Sequence, residues 1–173
     1  MDPFSYSEAR LSLKVLLSLF LVFVGIGYIF GLVNIYNNTG LSYTGLVVHY
    51  RGDAAELTVP LEFAFAKLIQ EHHVHLFSLS ILFLLIGFLF TLTELPEPAK
   101  AFFVAAPFAG MFFDFAGLWS TVFLGAGFGW VTMIFGGLMA VSFFMLIGRP
   151  LYEMWLLPVF RKAMGGKVPW YLS

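Results

Sequence analysis

Four long apolar runs, separated by short polar turns and one longer polar stretch, constrain this chain more than anything else in it. They lie at about 11–33, 72–93, 101–123 and 128–148. A run of roughly 20 residues matches the ~30 Å hydrocarbon core of a bilayer at a helical rise of ~1.5 Å per residue. Charged residues make up 11% of the chain against 60% apolar, with a mean hydropathy of +0.91. A soluble domain carries roughly 25% charged residues, so this chain cannot cover a water-facing surface. The expectation is an all-α polytopic membrane protein: a four-transmembrane-helix bundle, one membrane domain over residues 1–173.

The first run follows a polar lead and holds a single charge, Lys14. It is too long for a signal-peptide core and lacks a small-residue cleavage site, so it is expected to be a retained helix. Gly27 and Gly31 in it form a GxxxG, a hint of close helix packing. Residues 34–68 are expected to form an outer loop, with turns at Asn37-Asn38, Thr39-Gly40 and Arg51-Gly52-Asp53 and a β-like run at Leu46–Tyr50. Pro60 should end the irregular part, and Leu61–Gln70 should be an amphipathic helix leading into the second span. Two prolines in Glu94–Lys100 make a polar turn, and Gly125-Ala126-Gly127 a minimal one. Pro107 should kink the third span mildly, and the fourth should end at Arg149-Pro150. The tail, 149–173, reads as interfacial, with Trp155, Arg161, Lys162, Lys167, Trp170 and Tyr171 suited to the headgroup layer.

Lys and Arg divide unevenly between the two sides. One side holds Arg10, Lys14, Lys100, Arg149, Arg161, Lys162 and Lys167, the other only Arg51 and Lys67. The positive-inside rule then places both termini in the cytoplasm and the 34–68 loop outside, in a bacterial inner membrane. A net charge of −1 offers nothing in favour of nucleic acid. With no cysteine, disulfides, thiolate metal sites and covalent c-type haem are excluded.

Chemistry-bearing residues gather at the mouth of the second span, in Glu71-His72-His73-Val74-His75, which holds three of the four histidines. At 100° per residue His72 and His75 share a face, Glu71 and His75 are one turn apart, and His73 points elsewhere. Three functional readings stay open. His73 or His75 could ligate a b-type haem in the outer half of the bundle. Glu71, His72 and His75, with His49 from the loop as a further candidate, could hold Zn or Cu at the surface. The cluster could also serve proton entry or a subunit contact. Asp114, about nine residues from the outer end of span three, is a second candidate, as a haem-side partner or proton site. Met111 and Met133 could supply a thioether ligand, and Trp119 and Trp130 could flank a macrocycle. No second in-span histidine completes a bis-His haem within the chain, so a second ligand would come from methionine, a second copy or another subunit. No Ser/His/Asp constellation, phosphate loop or paired carboxylates occur, which argues against a hydrolase or kinase. The absence of an internal repeat argues against a transporter.

The stretches HVHLFSLSILFLLIGFLFTLTE, APFAGMFFDFAGLW and GFGWVTMIFGGLMAVSF, with GLSYTGLVVHYRGD in the loop, carry a resemblance. The chain resembles a family of uncharacterised bacterial four-helix membrane proteins whose second span opens on an HxHLF-type motif. His73 and His75 match its HxH pair and Asp114 its acid in span three. Many members carry a c-type haem CxxCH insertion in the outer loop, which this cysteine-free loop lacks. The resemblance implies a membrane component working near c-type cytochromes in respiratory or photosynthetic electron transfer. The expected function is a small electron-transfer subunit without a catalytic site of its own. It would contact lipid, other membrane subunits, a c-type cytochrome or a second copy of itself, and bind haem b through the EHHVH cluster. The competing expectations are a cofactor-free accessory subunit of a larger complex and a Cu- or Zn-binding protein of the outer face.

Overall fold

A computed structural model describes residues 4–52 and 58–164. The expected Asp53 turn residue and the tail residues Lys167, Trp170 and Tyr171 lie outside that range. Four helices long and apolar enough to cross a membrane are present among the described residues, and these contain no strand. They are α1 (Leu11–Thr39), α3 (Leu61–Thr91), α4 (Glu97–Phe123) and α5 (Gly129–Leu151). Short helices α2 (Tyr43–Arg51) and α6 (Leu157–Ala163) complete the order. The four-span, all-α reading is borne out.

The element boundaries depart from expectation in four places, each with a local cause. α1 runs on through Thr39, and the Asn37-Asn38 turn is helical. It stops at Gly40, whose φ of 61° is the left-handed conformation open to glycine, with its N–H donating to the Tyr36 carbonyl. The β-like run Leu46–Tyr50 is helical too. Ser42 caps α2 by accepting from the Gly45 N–H at 3.1 Å, and Leu46 and Val47 turn into the core. The lead-in helix and the second span are one piece: α3 has 31 residues, about 46 Å at ~1.5 Å per residue. That is about half as long again as the hydrocarbon needs. Its charged residues, Glu62, Lys67 and Glu71, all fall in its first half. Finally, the fourth span does not end at Pro150. The proline sits inside α5, a five-residue π-helical segment (Tyr152–Leu156) follows it, and α6 continues the same rod. A proline has no N–H for the ladder and its ring crowds the turn before it, and a π-bulge is one way a helix absorbs such a fault.

α4 and α5 form a closely packed hairpin, α3 leans on both, and α1 lies against α5. Backbone contact explains the hairpin. A Cβ on Gly117 would lie 2.7 Å from the Thr132 nitrogen, and one on Gly110 would lie 3.0 Å from the Met139 nitrogen. Glycine lets the two helices touch main chain to main chain, and Thr132 Oγ1 uses the approach to donate to the Asp114 carbonyl at 3.1 Å. The expected GxxxG contact is absent among the described residues: nothing lies within 4 Å of a Cβ built on Gly27 or Gly31. Both face outward on a helix of which only 6% of the apolar window is buried.

Two apolar clusters fill the bundle. The larger joins Leu21, Phe83, Ile86, Phe90, Met111, Phe143 and Leu146, with Tyr28 stacked on Phe143 at 3.9 Å. The smaller lies under α2 and joins Leu46, Val47, Ala64, Leu68, Leu118 and Val122. Phe23, Phe30 and Phe77 are 69–70% exposed, a fraction that only a lipid or protein neighbour makes tolerable. Contacts tie the cationic end together: Lys14 Nζ donates to the Met154 carbonyl at 3.3 Å, and Arg161 pairs with Glu94. Trp155, expected in the headgroup layer, donates from Nε1 to Ser18 Oγ at 2.8 Å.

Candidate functional site

The N-terminal part of α3 carries the site, and its helix splits the histidines between two environments. His72 turns inward to α4, where it accepts at Nδ1 from Trp119 Nε1 at 3.2 Å and meets the Phe115 ring at 4.1 Å between centroids. His75, expected on the same face, is exposed. The three-residue step rotates it by about 60° from His72, enough to move a side chain from the α3–α4 seam to its rim. His73 is exposed on another side of the helix, as its register implies.

His75 Nδ1 lies 2.7 Å from the Glu71 carbonyl one turn back. A carbonyl only accepts, so Nδ1 bears the proton and Nε2 of the neutral ring keeps its lone pair. A shallow, open groove of about 570 Å³ runs beside it along one face of α3, lined by Phe63, Ala66, Lys67, Gln70, Glu71, Val74 and His75. Ser78, which continues the His75 face, turns back on its own helix and donates to the Val74 carbonyl at 2.8 Å.

The short helix α2 fastens onto this groove. Tyr50 Oη donates to Glu71 Oε2 at 2.8 Å, and Lys67 Nζ donates to His49 Nε2. Lys67 also stands 4.9 Å from the Tyr50 ring centre. Burial, and then the Lys67 ammonium, hold His49 below the ordinary histidine range, with Glu71 pulling the other way. Burial raises the Tyr50 phenol well above its usual value, and the Glu71 carboxylate, its hydrogen bond and Asp114 add to that. Arg51 closes the C-terminal end of α4. Its Nη1 donates to the carbonyls of Thr121 at 2.8 Å and Val122 at 2.9 Å, where a cation meets the negative end of the helix.

Of the other sequence candidates, Asp114 sits half-buried between helices, with Oδ1 3.3 Å from where a Cβ on Gly136 would be. Its carboxylate lies within Coulombic reach of Tyr28 on α1 and Tyr50 on α2. Met133 packs into the cluster under α2 and Met111 into the larger core, and neither lines the groove. Trp119 stacks on Phe123 and Trp130 on Tyr43, so each tryptophan already has a ring partner. Among the described residues no three His, Asp or Glu side chains converge as a metal cage. Glu71 and His72 are engaged by Tyr50 and Trp119, and His75 is engaged by a backbone carbonyl at Nδ1. Sequence reasoning left Tyr50, Lys67 and Arg51 without a role. Their signal was weak, a phenol and a cation before Gly52 and a lone lysine in the lead-in helix, since each acts across a tertiary contact.

A bundle of four apolar helices with a polar constellation at one end defines a multi-pass membrane protein. The chain belongs to the Aq_1264_TM family, a transmembrane helical domain whose profile matches residues 40–161. The match begins at Gly40, where α1 ends, and takes in α2 to α5 with most of α6. No curated protein and no solved structure matches the chain.

Proposed function

We propose that this protein is a small membrane subunit of a bacterial respiratory or photosynthetic electron-transfer chain. It holds a b-type haem in the α3 groove through His75, in an inner membrane with both termini cytoplasmic. One observation carries the reading: the His75 ring is fixed in orientation by its Nδ1 bond to the Glu71 carbonyl, which leaves Nε2 outside that bond, beside an open groove of about 570 Å³. Ligand sites commonly span about 300–1,000 Å³, and a ligating histidine usually donates its other nitrogen to a carbonyl or carboxylate. The lining suits the group: Phe63, Ala66 and Val74 are apolar walls, and Lys67 places a cation where carboxylates of a macrocycle would find it. When bound, the haem would supply a one-electron couple. The chain's own part is to fix the His75 tautomer and to hold Lys67 and Glu71 at the rim through α2.

Among the described residues no second histidine or methionine lines the groove, so a second ligand would come from a second copy, another membrane subunit or a c-type cytochrome partner. The resemblance to bacterial proteins with a haem-bearing outer loop supports the same setting. So does the division of cations, seven to two. In the test, His75→Gly loses the reduced haem α-band and added imidazole restores it, while His73→Gly keeps it. A band that survives His75→Gly unchanged contradicts the assignment.

A second reading, a cofactor-free accessory subunit, is favoured by α1. This helix lies outside the matched domain, is barely buried, and leaves Gly27 and Gly31 free of contacts among the described residues. It offers a smooth face to another membrane helix.

A further inference from the structure

The geometry points to a pH-sensitive latch at the α2–α3 seam: with His49 neutral, Lys67 is held to α2, and with His49 protonated that contact becomes a repulsion that releases Lys67 from α2. The latch is independent of what the groove binds. It rests on two contacts one turn of α3 apart, Lys67 to His49 at 2.5 Å and Tyr50 to Glu71 at 2.8 Å. The first can exist only while His49 Nε2 keeps its lone pair, because an ammonium can donate and cannot accept. The second does not titrate with histidine and keeps α2 from leaving altogether. Both Lys67 and Glu71 also line the groove, so the state of the latch sets the charge presented beside His75.

The surroundings of His49 sharpen the expectation. From α3, Lys67 opposes its protonation and Glu71 favours it. On its own helix Tyr50 meets it edge to face at 4.9 Å, and Arg51 is turned away to the end of α4. From α4, Asp114 acts on Tyr50. The docked imidazole therefore takes a proton less readily than a free one. Docking is at full strength above the ordinary histidine value of about 6.5 and weakens as pH falls through it. The side facing outward is where such acidification would be sensed.

Amide hydrogen exchange of the full chain in detergent or nanodiscs tests this. Protection of the α2 amides is measured at about pH 7.5 and about pH 5, on either side of the ordinary histidine value. It is normalised to α4 in the same sample. A several-fold loss of protection at the lower pH is expected in the wild type. His49→Gln, which still accepts from Lys67, and Lys67→Met, which removes the repelling charge, should each abolish the loss. Equal protection at both pH values in the wild type overturns the latch, and so does a loss that persists in His49→Gln.

Discussion

Gly117→Leu is expected to part α4 from α5 and leave no compact bundle. The first side-chain carbon alone would lie 2.6 Å from Thr132 Oγ1 and 2.7 Å from the Thr132 nitrogen, and the latter belongs to a backbone that cannot rotate aside. Overpacking of this kind costs about 1–3 kcal/mol even where side chains can adjust, and more where main chain must move. Separation would also break the bond from Thr132 to the Asp114 carbonyl and expose one polar group on each helix to hydrocarbon. The readout is size-exclusion chromatography in mild detergent together with limited proteolysis. The wild type gives a sharp peak and resists cleavage, and Gly117→Leu gives aggregate or rapid cleavage. Gly27→Leu and Gly31→Leu are the controls. Nothing stands within 4 Å of either position, so both should stay within about 0.5 kcal/mol of the wild type. A folded, wild-type-like Gly117→Leu would contradict the packing described.

Glu153→Ala is the second large effect, at the opposite end. Glu153 is 1% exposed, accepts from the Glu94 N–H at 3.0 Å and pairs with Arg149 Nε at 2.7 Å. Removing it strands a guanidinium whose side chain is only 12% exposed, and withdraws the acceptor that ties the α3–α4 turn to the π-helical segment. Breaking a buried pair from one side costs about 3–5 kcal/mol, because the surviving charge keeps its desolvation penalty. The thermal midpoint should fall sharply in Glu153→Ala. Joint replacement of Arg149 and Glu153 by methionine should restore much of it, since no orphan charge remains. A double variant worse than the single one would show that the pair contributes more than its two charges.

What the sequence made legible follows from which forces are local. Length and hydropathy place four helices without any tertiary information, and the turns at Pro96 and Gly125 mark their ends. The misread elements are those where a neighbour overrides a local tendency. Val47 and Val48 favour a strand, yet burial of Leu46 and Val47 and the Ser42 cap make α2 a helix. Pro150 is a stop signal that a π-bulge absorbs. Gly27 and Gly31 carry the familiar packing motif, while the glycines in contact, Gly110 and Gly117, are spaced seven apart and show their role only against α5. At the site, composition located the EHHVH cluster, but helical register alone could not say that the α3–α4 seam passes between His72 and His75. Nor could it bring Tyr50 and Arg51 over from α2, because those contacts depend on the fold of a stretch that reads as loop; the sequence offers His49 there only as a metal ligand, not as the partner of Lys67.

The measurement that bears most directly on the proposed role is an absorption spectrum of the purified, detergent-solubilised wild-type protein, oxidised and then reduced with dithionite, with metal content determined on the same sample. A Soret band and a reduced α-band of b-type haem, with iron in proportion, are expected. A colourless, metal-free protein that still co-purifies with other membrane subunits would contradict the haem-binding role and leave the accessory subunit in its place.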